Sequence, residues 1–200
     1  MNSEEKINWA ILVTGWGRSA KDLIKAYSKN KLERSNIKLL VYEETPCGAK
    51  DLAEQYNIET LRLIKKDYSD SKSYQTALTN ELKKRKIDYI FLLAFKHIIK
   101  EEMLDAFPNR ILNIHPSLFP SFLGTQTAIQ DAIDYGVKVS GITTHIIDEK
   151  VDYGTIICQK AIDFPEGSTL ESLYPKFSKK GKKIVLETIN EIEQLHFVQK

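Results

Sequence analysis

Asn113 and His115 stand two residues apart in "RILNIHPSLFP", where an apolar run gives way to a loop carrying Pro116 and Pro120. Side chains in a strand repeat every two residues, so the pair shares one face. Pro116 has no N–H for a ladder and should end the strand beside them. An amide and an imidazole side by side can both donate to one oxygen that turns negative during a reaction. The same two residues also read as a hydrogen-bonded structural histidine and a turn-forming asparagine, because buried polar groups usually find structural partners.

Two other stretches carry chemical potential. "DEKVDYG" offers Asp148, Glu149 and Asp152 in a tight link. A carboxylate from it, placed beside His115, would favour the imidazolium. Aspartates are equally common as turn formers. "TGWGRS" places Gly15 and Gly17 after an apolar run and ahead of a helical one. The glycines permit a tight turn, and the helix start presents free N–H groups to an anion. Arg18 and Ser19 could add charged and hydroxyl hydrogen bonds to a phosphate. Residue 20 is alanine, so the G-x-G-x-x-G pattern of nicotinamide binding is not met. His145 and His97 read as core histidines, and His196 as solvent-facing.

The elements that must position these residues follow from periodicity. "WAILVTG", "IKLLVYE", "IETLRLI", "DYIFLLAF" and "RILNIH" read as strands. "SAKDLIKAYSK", "AKDLAEQYN", "DSKSYQTALTNELKKRK" and "KEEMLDAF" read as helices between them. In the third of these, Tyr74, Leu78 and Leu82 form one stripe. The near-continuous apolarity of "DYIFLLAF" suits a parallel strand covered on both faces. Alternating strands and helices predict a twisted, mostly parallel sheet with helices on both sides. "KVSGITTHIID" and "TIICQKAID" are joined by so short a link that they should pair antiparallel. A long C-terminal helical segment follows, with an interruption expected near Pro175. In such sheets ligands bind beyond the carboxyl ends of the strands, where all three candidate stretches fall.

Composition agrees with one domain over residues 1–200. The chain has 42% hydrophobic residues, 28% charged residues of mixed sign and a net charge of +2. That suits a well-developed core and gives no basic footprint for nucleic acid. The N-terminus lacks the pattern of a secretory signal, and no apolar run nears the ~18 residues of a membrane span. Cys47 and Cys158 lie outside any metal-ligand spacing and read as reduced thiols, which points to the cytoplasm.

"NIHPSLFP" and, about forty residues later, "VDYGTIICQ" together resemble the folate-dependent formyltransferases. The likeness extends to "ILVTGWGRSAKDLI" and "IFLLAFKHII". It implies a Rossmann-like α/β formyltransferase fold, a mixed and mostly parallel sheet flanked by helices on both faces. It implies formyl transfer from 10-formyltetrahydrofolate, without a metal, to the primary amine of glycinamide ribonucleotide in purine biosynthesis. On this resemblance Asn113, His115 and Asp152 are the catalytic trio. Lys96, His97, Ile98 and Ile99 fall where the pterin is held, largely by backbone groups. Leu92, Glu149 and Val151 would line that pocket, and Lys72 would approach the folate. Gly15, Gly17, Arg18 and Ser19 would hold the phosphate of a small phosphorylated amine. Neither nucleic acid nor membrane is an expected partner, and the chain would be a monomer or homodimer. Three residues depart from the family pattern. Arg18 stands in a loop that is usually Gly-Ser-Asn, Gln126 replaces a histidine, and Gly181 stands near the place of a substrate-holding glutamate. These departures leave a nucleotide-linked amino sugar as an alternative acceptor. A non-catalytic folate- or nucleotide-binding module is an alternative of another class.

Overall fold

The computed structural model describes residues 5–198. Its strands are β1 (Ile7–Val13), β2 (Ser35–Tyr42), β3 (Glu59–Arg62), β4 (Tyr89–Leu92), β5 (Ile111–His115), β6 (Val139–Ile146) and β7 (Ile156–Asp163). Its helices are α1 (Arg18–Tyr27), α2 (Gly48–Gln55), α3 (Ser71–Lys84), α4 (Glu101–Leu104), α5 (Ala128–Tyr135) and α6 (Leu170–Val198). The sheet order is β3-β2-β1-β4-β5-β6-β7. The first five strands run parallel, while β6 pairs antiparallel with both β5 and β7. The alternation in the sequence thus predicts the architecture correctly, including the antiparallel β6–β7 pair.

Burial on both faces explains the composition of the inner strands. Along β1, Ile11 and Val13 pack under α1, α2 and α6. Ala10 and Leu12 pack on the other face with the Tyr74, Leu78 and Leu82 stripe of α3. A third cluster joins Ala132 of α5, Ile142 of β6 and Phe177 and Ile184 of α6. Helix α6 therefore belongs to two clusters and fixes the antiparallel end of the sheet to the parallel part. Two buried hydroxyls set its register. Thr188 donates to the Ile184 carbonyl at 2.7 Å, so the Thr144 hydroxyl donates to Thr188, at 2.6 Å.

The structure differs from the periodicity reading in three places. Strand β4 stops at Leu92 rather than running through Phe95, because Ala94 takes a left-handed φ of 63° and turns the chain out of the ladder. Helix α5 has no counterpart in the periodicity reading; its short amphipathic run is capped by Gly136 at φ 77°. Helix α6 runs through Pro175 without interruption. Pro175 is the sixth residue of the helix, so its missing N–H removes a single bond close to an end that already has free donors. Among the described residues no helix is long and apolar enough to cross a membrane.

Candidate active site

Strand β5 ends at His115, immediately before Pro116, and presents Asn113 and His115 on one face. The antiparallel register sets His145 opposite Asn113 and Thr143 opposite His115. Thr143 accepts from the Phe119 N–H at 3.1 Å and donates to the Ser117 carbonyl at 2.7 Å. This anchors the loop after β5, whose Phe119 ring packs on both His115 and His145. The same loop carries Phe122 at a left-handed φ of 56°. Its carbonyl accepts from His115 Nε2 at 3.0 Å.

Asp152 arrives from the link between β6 and β7, also in a left-handed conformation, φ 63°. One carboxylate oxygen accepts from the Gly124 N–H at 2.9 Å and lies 3.4 Å from His115 Nδ1. The other lies 3.6 Å from His145 Nε2. His115 therefore faces an acceptor on each ring nitrogen, and only the imidazolium can donate to both. His145 is fully buried. Burial pushes its pKa below the ordinary value, against the pull of the Asp152 carboxylate. Its Nδ1 has no hydrogen-bond partner among the described residues. The Asn113 amide is 3.5 Å from His145 Nε2, a long contact that leaves its N–H groups able to donate elsewhere.

This group lies at one side of a cleft of about 730 Å³ beyond the carboxyl ends of the parallel strands. Of the residues named from the sequence, Arg18, Ser19, Leu92, Lys96, His97, Ile98, Ile99, Asn113, His115, Val151 and Asp152 line it. Lys72, Glu149, Gly15 and Gly17 do not. Lys72 sits in the first turn of α3, and Glu149 is exposed in the β6–β7 link. Gly15 faces the Glu44 carboxylate. Gly17 has φ 71°, and a Cβ there would come within 2.6 Å of the Ala49 Cβ, so the turn into α1 requires glycine.

The loop after β4 is pinned from behind. Thr14 Oγ1 accepts from the Lys96 N–H at 2.8 Å, and the Gln75 amide donates to the Ile98 carbonyl and accepts from the Lys100 N–H. His97 Nε2 meets the Glu43 carboxylate at 2.5 Å, so its imidazole is turned into the protein. Gln75 and the Phe122 carbonyl carry no signal in the sequence, while His145, which reads there as a core histidine, is fully buried and also adjoins Asp152. For His145 the signal was its pairing with Asn113, which requires the register of two strands. For Gln75 there was none. Gln126 and Gly181, noted as departures, both line the cleft, as do Tyr174 and Ser178. Among the described residues no group of three or more His, Cys, Asp or Glu side chains is placed to hold a metal ion.

An open, mostly parallel sheet with a polar group at its carboxyl edge defines an α/β protein of Rossmann-like build with a ligand site at the strand ends. Comparison with known proteins narrows this. Residues 7–189 match the family model described as formyl transferase. The phosphoribosylglycinamide formyltransferase of Bacillus subtilis is 32% identical over 86% of this chain and 87% of its own length. The trifunctional purine biosynthetic protein adenosine-3 of Chironomus tentans is 34% identical over 82% of this chain, a stretch that spans 12% of that longer protein. The crystal structure of phosphoribosylglycinamide formyltransferase from Bacillus halodurans superposes with a TM-score of 0.87 at 31% identity, covering 92% of this chain and 94% of that one. The chain belongs to the formyl transferase family and is a formyl-transferring enzyme.

Proposed function

We propose that this enzyme transfers the formyl group of 10-formyltetrahydrofolate to the primary amine of glycinamide ribonucleotide, a step of purine biosynthesis in the cytoplasm. The observation that carries the reading is the convergence of Asn113, His115 and Asp152 on one wall of the cleft. The names of the relatives supply the acceptor. The cleft suits two different molecules. Leu92, Ile99 and Val151 give an apolar wall beside the pinned 94–99 loop, which fits a flat heterocycle read by backbone groups. Arg18 and Ser19 open α1 on another side, which fits a phosphate. The two unpaired thiols, Cys47 and Cys158, suit a reducing compartment.

The chemistry follows from the donors present. The amine attacks the formyl carbon, and a C–N bond forms as the carbonyl oxygen takes up negative charge. The Asn113 amide donates to that oxygen, and His115 joins it by turning its Nε2–H from the Phe122 carbonyl to the substrate. Asp152 relays the proton lost by the amine, through water, to the folate nitrogen as the old C–N bond breaks. Asn113→Ala, His115→Ala and Asp152→Asn are each expected to lower kcat by roughly 10²–10³, with thermal unfolding still cooperative. Near-normal turnover in Asp152→Asn would remove Asp152 from the mechanism. The direct test is spectrophotometric release of tetrahydrofolate with and without glycinamide ribonucleotide. Release that requires the ribonucleotide supports the reading. Release with water alone identifies a hydrolase, and no release under either condition refutes both.

A further inference from the structure

The side of the cleft opened by Arg18 is bounded by α1 and α6, and two contacts tie these helices together. The Arg18 guanidinium lies 4.9 Å from the centre of the Tyr174 ring. Lys182 Nζ lies 3.9 Å from Asp22 Oδ1. Arg18 and Asp22 are four residues apart and share a face of α1, as Tyr174, Ser178 and Gly181 share a face of α6. The two contacts bracket Ser178 and Gly181. A glycine inside a helix costs about 1 kcal/mol relative to alanine. No close packing demands it here, because a Cβ at Gly181 would meet only Ile142 Cδ1, at 3.8 Å. What glycine provides is room in the cleft.

Three aspartates line that cleft. Asp152 is engaged with His115, His145 and Gly124. Asp148 accepts from the Lys150 N–H within the β6–β7 link. Asp22 is the one on the α1–α6 side, and its contact with half-exposed Lys182 is long. A carboxylate has about four acceptor sites, so most of its capacity remains. Four residues of helix rise about 6 Å, a span matching that from the 5-phosphate of a pentose to its ring hydroxyls.

Resting on the function proposed above, we propose that Asp22 is a specificity-determining residue for the acceptor. Its carboxylate accepts hydrogen bonds from the sugar hydroxyls of a phosphorylated amine seated over Gly181, while Arg18 takes the phosphate. A carboxylate offers two oxygens to two O–H donors, the pairing by which acidic residues read ribose in nucleotide sites.

The test is steady-state kinetics of the intact enzyme with glycinamide ribonucleotide and with its 2′- and 3′-deoxy analogues. Asp22→Asn raises KM for the ribonucleotide about 10- to 100-fold, the usual loss of hydrogen bonds to a charged group, with kcat and the KM for 10-formyltetrahydrofolate little changed. A deoxy analogue loses a similar factor with the wild type and little with the variant. Lys182→Gln, which removes the ion pair and keeps the carboxylate, leaves the acceptor KM near that of wild type. An unchanged acceptor KM in Asp22→Asn, or a Lys182→Gln variant that reproduces its rise, overturns the assignment alone. A wild type inert toward the ribonucleotide overturns the substrate reading and this assignment with it.

Discussion

Asp152 and His145 illustrate how little of a side chain's role is settled by its type. Asp152 touches both histidines and a backbone N–H, yet it comes from a turn where aspartate is common for local reasons. His145 is buried beside it and held neutral by desolvation, which outweighs the carboxylate's attraction. The sign of the pH effect follows. The unfolded chain binds a proton at this residue near the ordinary value of 6.5, and the folded chain binds it only at lower pH. The stability associated with neutral His145 is therefore present above about 6.5 and is lost as pH falls through the folded value. Urea unfolding of His145→Gln from pH 8 to 5 is expected to show a shallower acid-side fall than wild type. Identical slopes would mean that another group takes up the proton.

At the level of elements, the site depends on where two strands of different direction meet. Parallel β5 supplies Asn113 and His115, while antiparallel β6 brings His145 and the link bearing Asp152 back to them. A one-residue slip in that register would turn His145 to the other face of the sheet. Helix α6 holds β6 in place through the Thr144–Thr188 hydroxyl pair and also forms a wall of the cleft. Thr188→Val is expected to cost about 1–3 kcal/mol, because a buried hydrogen-bond partner is removed without a substitute. A loss below the error of a denaturant titration would show that the packing of Val185 and Ile189 alone sets the helix position.

Across the whole molecule, the cleft lies where the start of α1, the loops after β4, β5 and β6 and one side of α6 converge, so its walls come from segments far apart in the chain. Ligands that bind only the folded form must stabilise it. Tetrahydrofolate at about 100 times its Kd should contribute about 2.7 kcal/mol. For a chain of this size that corresponds to a rise in Tm of roughly 5–10 °C. Differential scanning fluorimetry with tetrahydrofolate and with glycinamide ribonucleotide, each alone, separates the two parts of the cleft. No shift with tetrahydrofolate would argue against a folate site in this chain.

The sequence by itself determined the sheet class, the strand carrying Asn113 and His115, the end of that strand at Pro116 and the family. These rest on local facts: alternation of side chains, the missing proline N–H and two motifs read in order along the chain. Taken alone, "NIHPS" left the purpose of Asn113 and His115 divided between structure and chemistry; the resemblance carried by the two motifs assigned them, with Asp152, to catalysis. Charge alone left Asp148 and Asp152 open as partners of His115 and the motif pointed to Asp152; the tertiary structure supplies the contact itself, with Asp152 in a left-handed turn and 3.4 Å from His115 Nδ1. Only it brought His145 into the group, ran α6 straight through Pro175, and set Asp22 against Lys182 of α6. Each of these depends on pairing between distant segments, where burial and register act together and no local pattern carries the information.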